Sequence, residues 1–480
     1  MKKCVLILII TAMASGVLSA CTEDSSVAIP RYDIEVDYLG DTLEIEEHIY
    51  YQHGGDTTSQ LAIMLYPSAY QSVDTVGGEN NTDYFEKGSV ELKSVCIDGV
   101  QSEYSIGGYL DTCLTANLSQ PLSYMSEIEV DICYTICLPH CDARLGITSD
   151  GVVNLSNFYA VIPSLRDGVW SIDDYVYIGD PYVSDLKDID LSITIPSGYT
   201  LAHGGGKVER VDSEESSTYT LEYSQVRDVA VCISDKYQFS KMDIDGVEIT
   251  YYYYQDTDYL NTLYVARDSL RYFVETFGEY PYDTYSVAET SLMAGGMEYS
   301  GFSLINSKLK KEDREYTVVH ETAHQWWYNI VGTDNVREPW IDEGLAEYST
   351  ILYLGEIYGE EWVREQVYST ENAYMLYVDL KDKVFDDKVN SITRSIYEYN
   401  GTLDYTYLVY LKSMLMHSNL HELLGEKYLV SLRTLVRDNY MSQIDKDILI
   451  NTFAKVNNRK MDIFFDAWLE GKVYVLPMAS

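Results

Sequence analysis

Two histidines and a glutamate in the second half of the chain have the residue types and spacing of a zinc site. His320 and His324 stand four positions apart in the sequence His-Glu-Thr-Ala-His, and Glu343 follows after eighteen further residues. In a helix, side chains four positions apart lie on one face with their Cβ atoms about 5–6 Å apart, so both imidazoles can reach one Zn²⁺. With Glu343 as the third ligand, the set leaves one position open for water, as catalytic zinc sites do.

The glutamate between the two histidines supplies a base. Glu321 is predicted to point at the open position of the metal rather than to bind the metal itself. A carboxylate placed there can accept a proton from a zinc-activated water and deliver it to a leaving amine. The residues therefore predict a hydrolytic centre with one Zn²⁺ per chain and Glu321 as its general base.

The neighbouring residues predict two helices that carry these ligands. Residues 314–330 place apolar side chains at roughly helical spacing, and Gly332 is suited to end a helix. Pro339 is suited to begin the next helix, which puts Glu343 in its first turns. Glu347, one turn later, is a candidate partner for the second nitrogen of a ligand histidine, the alternative being an ordinary acidic surface residue.

Several further segments carry a family resemblance. They are residues 178–185, 277–283, 295–299, 324–327 and 338–344. On these segments the chain resembles the gluzincin zinc aminopeptidases, the family that contains aminopeptidase N. The resemblance covers roughly residues 130–470, most of the chain. Residues 295–299 are similar to that family's Gly-x-Met-Glu-Asn motif, with Tyr299 in the place of the asparagine.

The resemblance implies roles for the motif residues. Glu298 would bind the free α-ammonium group of a peptide, so that the first peptide bond lies in register with the metal. Gly295, Gly296 and Met297 would belong to the same substrate-binding segment. The alternative for Glu298 is an ordinary acidic residue on a strand.

A tyrosine after the zinc helices is implied as the oxyanion donor. Tyr410 begins a sequence similar to the family's Tyr-x-Lys-Gly pattern, with Ser413 in the place of the glycine. The resemblance therefore implies Tyr410 as a catalytic residue that donates to the developing oxyanion. Tyr405 and Tyr407 are close enough in sequence to be alternatives, and a packing role is another.

The hydrophobic period changes once along the chain and predicts an α+β multidomain fold. Strand-like alternation runs from Tyr32 to about Tyr237, and helical patterns dominate after Tyr254. We therefore expect an N-terminal all-β domain over residues 31–239 and a mainly helical catalytic domain over residues 240–480. The resemblance implies that the first is saddle-like and the second thermolysin-like, with the active site in the cleft between them.

The first thirty residues predict export. Residues 1–20 have a charged start and an apolar run too short for a confident membrane span, which is typical of a signal peptide. The sequence Leu-Ser-Ala-Cys at residues 18–21 resembles a bacterial lipobox, so Cys21 is the predicted lipidation site and residues 21–30 a tether. The expected location is extracytoplasmic, on the cell membrane through a lipid anchor. An ordinary cleaved signal peptide is the alternative.

Charge argues against one class of partner. The chain has 34 Lys and Arg against 76 Asp and Glu, a formal net charge of −42. Removal of the leader would delete Lys2 and Lys3 and make the charge −44. Because nucleic-acid binding depends on basic side chains that neutralise phosphates, no nucleic-acid partner is expected.

Six cysteines other than Cys4 and Cys21 lie in the first half of the chain. Outside the cytoplasm such a set can form disulfides, although fifteen pairings are open. A second metal site is an alternative for four neighbouring side chains, although their spacing departs from that of zinc knuckles. These four are Cys133, Cys137, His140 and Cys141.

Three functions follow as hypotheses. The leading one is a zinc metallo-aminopeptidase that acts on peptides with a free N-terminus. The second is a zinc endopeptidase of similar fold, since Tyr299 replaces the family asparagine and the sequence ends without the large C-terminal helical domain of longer relatives. The third is a non-enzymatic, peptide-binding surface lipoprotein.

Overall fold

The computed structural model describes residues 27–77, 84–381, 383 and 389–472. The predicted signal peptide, most of the predicted tether and Cys21 lie outside the described residues. Among the described residues, none of the helices combines the length and apolar character that crossing a bilayer requires.

The first half of the chain is built of strands, as predicted, and the order of an all-β domain followed by a mainly helical domain is confirmed. Its strands are β1 (Arg31–Tyr38), β2 (Thr42–Gln52), β3 (Thr58–Met64), β4 (Ser89–Ile97), β5 (Val100–Gln101), β6 (Tyr104–Gly107), β7 (Cys113–Leu122), β8 (Glu127–Cys137), β9 (Gly146–Ile147), β10 (Val153–Ser156), β11 (Leu165–Arg166), β12 (Val169–Trp170), β13 (Lys187–Pro196), β14 (Thr200–His203), β15 (Lys207–Asp212), β16 (Ser216–Val226) and β17 (Ala230–Ser234).

An eight-stranded sheet dominates this domain, in the order β15-β16-β13-β1-β2-β8-β4-β5. Every second residue of β1 is buried, as the alternating pattern predicts for a sheet with one face on the core. Three smaller sheets, β3-β7-β6, β14-β17-β10-β9 and β11-β12, complete the domain. Cysteines 96, 113, 133, 137, 141 and 232 are free in this structure, so the possible disulfides are not formed here.

One carboxyl group is buried in the core of the β domain. Glu47 on β2 is 3% exposed and accepts hydrogen bonds from the Tyr134 hydroxyl at 2.9 Å and the Ala160 backbone N–H at 3.0 Å. Burial disfavours the charged form and raises the pKa of Glu47 to about 8, despite these two donors.

The second half combines a sheet with helices. Its elements are β18 (Gln238–Ile244), β19 (Val247–Tyr253), α1 (Tyr259–Phe277), β20 (Thr284–Thr290), β21 (Gly296–Tyr299), β22 (Phe302–Asn306), α2 (Lys311–Ala323), β23 (Val331–Gly332), α3 (Trp340–Tyr358), α4 (Glu360–Leu380), α5 (Thr402–Tyr405), α6 (Ser413–Leu424), α7 (Lys427–Asp438), β24 (Ser442–Gln443), α8 (Lys446–Asn457) and α9 (Asp462–Leu469). The sheet order is β18-β19-β20-β22-β21, so β21, which carries Glu298, lies at its edge. The predicted domain boundary falls within β18.

The predicted helix over residues 314–330 is wrong at its end, because α2 stops at Ala323. Beyond it, the backbone N–H of Asn329 donates to His324 and that of Ile330 to Gln325, each five residues back. Tyr328 adopts a φ of 139°, in the left-handed half of conformational space, which turns the chain away from the helix axis. The helix-like spacing of apolar residues continues past Ala323 in the sequence because the side chains of this turn are also buried.

Candidate metal centre and substrate cleft

Three predicted metal ligands converge at the junction of α2 and α3. His320 lies in the last turn of α2, and His324 is the residue that caps it. Pro339 precedes α3, which puts Glu343 in the first turn, as the sequence predicts. The Nε2 atoms of His320 and His324 are 3.0 Å apart, and they lie 3.3 and 3.4 Å from Oε2 of Glu343.

These separations fit a single tetrahedral ion. Ligand atoms at zinc distances, about 2.0–2.1 Å, would be about 3.3–3.4 Å from one another around a tetrahedral centre. All three side chains are buried, and two imidazoles with one carboxylate are a donor set that zinc prefers. Burial alone would raise the pKa of Glu343, but the two imidazoles lower it to about 2, so this ligand is a carboxylate.

A second set of contacts orients the ligand histidines. Nδ1 of His320 lies 2.9 Å from Oε2 of Glu347, whose other oxygen accepts a 2.6 Å hydrogen bond from the Tyr316 hydroxyl. Nδ1 of His324 lies 2.8 Å from the backbone carbonyl of Trp327. Such partners fix which ring nitrogen faces the metal. Glu347 therefore lies where the prediction places it.

Glu321 faces the same space with an unpaired oxygen. Its side chain is buried, and its Oε2 atom makes no hydrogen bond. Burial raises the pKa of Glu321 to about 7, against the opposing effect of the two histidines. A Cβ atom on Gly296 would lie 2.4 Å from its Oε1 atom, so only glycine allows strand β21 to approach the base this closely.

Glu298 is the second carboxylate in this space. It is 5% exposed, and its Oε1 atom makes no hydrogen bond. Ligand atoms of Glu298, Glu321 and His324 lie within 4.8 Å of one another. Burial and then the nearby Asp180 raise the pKa of Glu298 well above its ordinary value, and a cation beside it would reverse that effect.

The part of the chain that the structure describes has metal-compatible clusters only here, in two overlapping groups. The first is His320, His324 and Glu343, and the second is Glu298, Glu321 and His324. Cys133, Cys137, His140 and Cys141, the alternative second metal site, do not form such a group.

Tyr410 reaches the metal ligands from a π-helical segment, Thr406–Lys412. Its hydroxyl donates a hydrogen bond to Oε1 of Glu343. Of the two alternatives, Tyr407 stacks on Tyr377, with ring centroids 4.4 Å apart, and Tyr405 lies beside Tyr410, at 5.8 Å between ring centroids. This π-helix continues directly into α6. π-helical turns frequently occur at functional sites.

Comparison with known proteins agrees with this geometry. Residues 262–468 match the peptidase family M1 domain, a stretch that contains every predicted metal ligand and Glu321. Over these residues the chain is similar to M1 peptidase domains.

Several proteins that this chain resembles are named aminopeptidases. Aminopeptidase 2 of Candida albicans is 30% identical over 128 residues, which cover 24% of this chain and 14% of that protein. Aminopeptidase N of Oryctolagus cuniculus is 42% identical over 60 residues, 12% of this chain and 6% of the relative. The tricorn protease-interacting factor F2 of Thermoplasma acidophilum is 26% identical over 249 residues, 45% of this chain and 30% of the relative. The chain thus spans less than a third of the length of these three relatives.

Structural similarity to known proteins covers both domains of this chain. The crystal structure of an M1 zinc metallopeptidase from Deinococcus radiodurans superposes with a TM-score of 0.67 at 14% identity, over 95% of this chain and 96% of that one.

A cleft of about 580 Å³ lies between the β domain and the mainly helical domain. The helical domain contributes Gly295, Gly296 and Met297 to its lining, beside Glu298. The β domain contributes Arg144 and Asp180, which form an ion pair of 2.7 Å. Sequence reasoning missed this pair, although residues 178–185 were among the family-like segments.

Proposed function

We propose that this chain is a zinc-dependent aminopeptidase that removes N-terminal residues from peptides. The main supporting observation is the buried carboxylate of Glu298, whose Oε1 atom makes no hydrogen bond and which has a ligand atom within 4.8 Å of those of Glu321 and His324. A carboxylate in this position suits the α-ammonium group of a peptide, and that pairing would fix the first peptide bond against the metal ligands. Internal peptide bonds would therefore lie out of register.

His320, His324 and Glu343 would hold the zinc. When bound, zinc lowers the pKa of a water ligand toward about 7 and polarises a carbonyl group. Glu321 takes a proton from the attacking water and passes it to the departing amine. The Tyr410 hydroxyl, which bonds Glu343 in this structure, turns to donate to the oxygen on which negative charge develops. Glu298 holds the ammonium group so that the first peptide bond is the one attacked.

The similar proteins support this proposal. The named relatives include aminopeptidases, and a variant of the Deinococcus radiodurans enzyme was crystallised with a Tyr-Ser-Ala substrate. Two-domain M1 variants of similar fold were crystallised with L-tryptophan and with L-arginine, ligands that have a free α-amine.

The test combines metal analysis with blocked and free substrates. Purified protein should hold about one zinc per chain, lose hydrolysis on chelation and recover it on addition of Zn²⁺. A panel of aminoacyl substrates should be cleaved when the amine is free and resist cleavage when it is acetylated. Full activity without metal would refute the zinc mechanism. Equal cleavage of blocked and free peptides would favour the endopeptidase alternative.

We also propose that the protein is anchored outside the bacterial cell by lipid on Cys21. The support is the lipobox-like sequence at residues 18–21. Labelled fatty acid should be incorporated into the wild type and not into Cys21→Ser, and the wild type should partition into detergent. Unlabelled wild-type protein released to the medium would instead indicate simple secretion.

A further inference from the structure

The distance between the amine-binding carboxylate and the metal has to be held by something, because Glu298 and His324 lie on different elements. Glu298 belongs to the edge strand β21, and His324 caps α2. An edge strand has one row of backbone groups without a strand partner. The position of Glu298 relative to the metal therefore depends on what those groups bind.

Asn329 bonds both elements through one amide group. Its Nδ2 atom donates to the backbone carbonyl of Glu298 at 3.2 Å and to that of His324 at 3.3 Å. Its Oδ1 atom accepts a 2.5 Å hydrogen bond from the Ser300 hydroxyl. The side chain is fully buried, so water does not compete for these bonds.

Gln325 makes the same kind of bridge one step along the strand. Its Nε2 atom donates to the carbonyl of Tyr299 at 3.1 Å, and its Oε1 atom accepts from the backbone N–H of Gly301 at 2.9 Å. Gln325 is also fully buried. The two amides lie four residues apart in the turn that directly follows His324, so they join the ligand segment to residues 298–301.

We propose that Asn329 and Gln325 form an amide clamp that sets the spacing between Glu298 and the metal ligands, and thereby the exopeptidase register. This inference rests on the proposed aminopeptidase function. The two residues are positioning residues, since they bond residues 298–301 and do not line the cleft. Their role explains why α2 ends at Ala323 and does not continue through residues 325–329, since a continued helix would carry these amides away from the strand.

The experiment measures the ratio of kcat/KM for a free aminoacyl substrate to that for its N-acetylated form. Asn329→Asp keeps the size of the side chain and, even when protonated, retains at most one of the two donors. Gln325→Glu is the matching change at the other bridge. Both should hold zinc like the wild type, and the ratio should fall at least about tenfold, since displacement by ~1 Å can cost ~10² in rate.

Asn335→Asp is the matched control. Asn335 is a buried amide of the same domain, and it accepts a hydrogen bond from Thr333 at 2.9 Å. This variant should lower the melting temperature without changing the ratio. If the clamp variants instead keep the wild-type ratio, whether or not they slow both substrates equally, the two amides are structural only and the inference is wrong.

A binding measurement separates this inference from the proposed function. Zinc-loaded Glu321→Gln protein is titrated with L-tryptophan and with N-acetyl-L-tryptophan, with and without Asn329→Asp. We expect preference for the free amine in the first protein and loss of about tenfold in that preference in the second. If both proteins prefer the free amine equally, the clamp inference is wrong and the proposed aminopeptidase function stands. No preference in the first protein refutes amine recognition by Glu298 and the clamp together.

Discussion

The clearest consequence of the site geometry concerns the charge on Glu298. Glu298→Gln keeps the size of the side chain and removes the charge that would pair with a substrate ammonium group. The carboxylate is 5% exposed, so the pair would form away from water. Removal of one member of a buried ion pair costs about 3–5 kcal/mol, which corresponds to roughly 10²–10³ or more in kcat/KM.

The lower end of this range is expected. Burial raises the pKa of Glu298 in the free protein, so part of the pairing energy is used to ionise the carboxyl group when the ammonium arrives. A loss of about 10² in kcat/KM on free aminoacyl substrates is therefore predicted. N-acetylated substrates, which have no charge to pair, should lose much less.

The assay compares both substrates on the wild type and on Glu298→Gln at fixed pH, with zinc measured in each preparation. Unchanged zinc content separates an effect on substrate binding from one on the metal site. The reasoning is refuted if the variant slows free and acetylated substrates by the same factor. Glu298 would then be a structural residue of the strand.

Three other changes test the remaining roles. Glu321→Gln should keep its zinc and lose at least ~10²–10⁴ in kcat. Tyr410→Phe should lower kcat by about 10²–10³ with little change in KM, whereas Tyr405→Phe, the neighbouring control, should not; the reverse result would reassign the donor. Glu47→Gln should be more stable than the wild type near pH 8, by denaturant unfolding. Because the folded protein binds this proton more tightly than the unfolded chain, wild-type stability should fall by a few kcal/mol as pH rises from about 4.5 to about 8, and the variant should lack this fall.

The metal ligands were predictable because their relation is local. His320 and His324 are four apart on one helix, and Pro339 fixes the start of the helix that carries Glu343, so spacing and helix geometry suffice. Tyr410 was predictable from resemblance alone, since 67 residues separate it from Glu343 and nothing in its neighbourhood favours it over Tyr405.

Two parts of the site lay beyond sequence reasoning. Arg144 and Asp180 form their ion pair across 36 positions, and neither has a local pattern that names the other. The turn after His324 was predicted as helix because a helix and a buried turn give similar apolar spacing. The bonds that decide between them go from Gln325 and Asn329 to a strand about 26 to 31 residues earlier.

The buried carboxylates of the cleft favour the binding of two cations, a metal ion and the ammonium group of a peptide. Glu298, Glu321 and Glu343 are buried within a small space, and close carboxylates raise one another's pKa unless cations separate them. Zinc between the histidines and Glu343 would offset one part of this charge, and a peptide ammonium beside Glu298 would offset another. A blocked peptide would fill the same space and leave Glu298 without a cation. Discrimination against blocked peptides is therefore expected from the same electrostatics that favour a metal ion at this site.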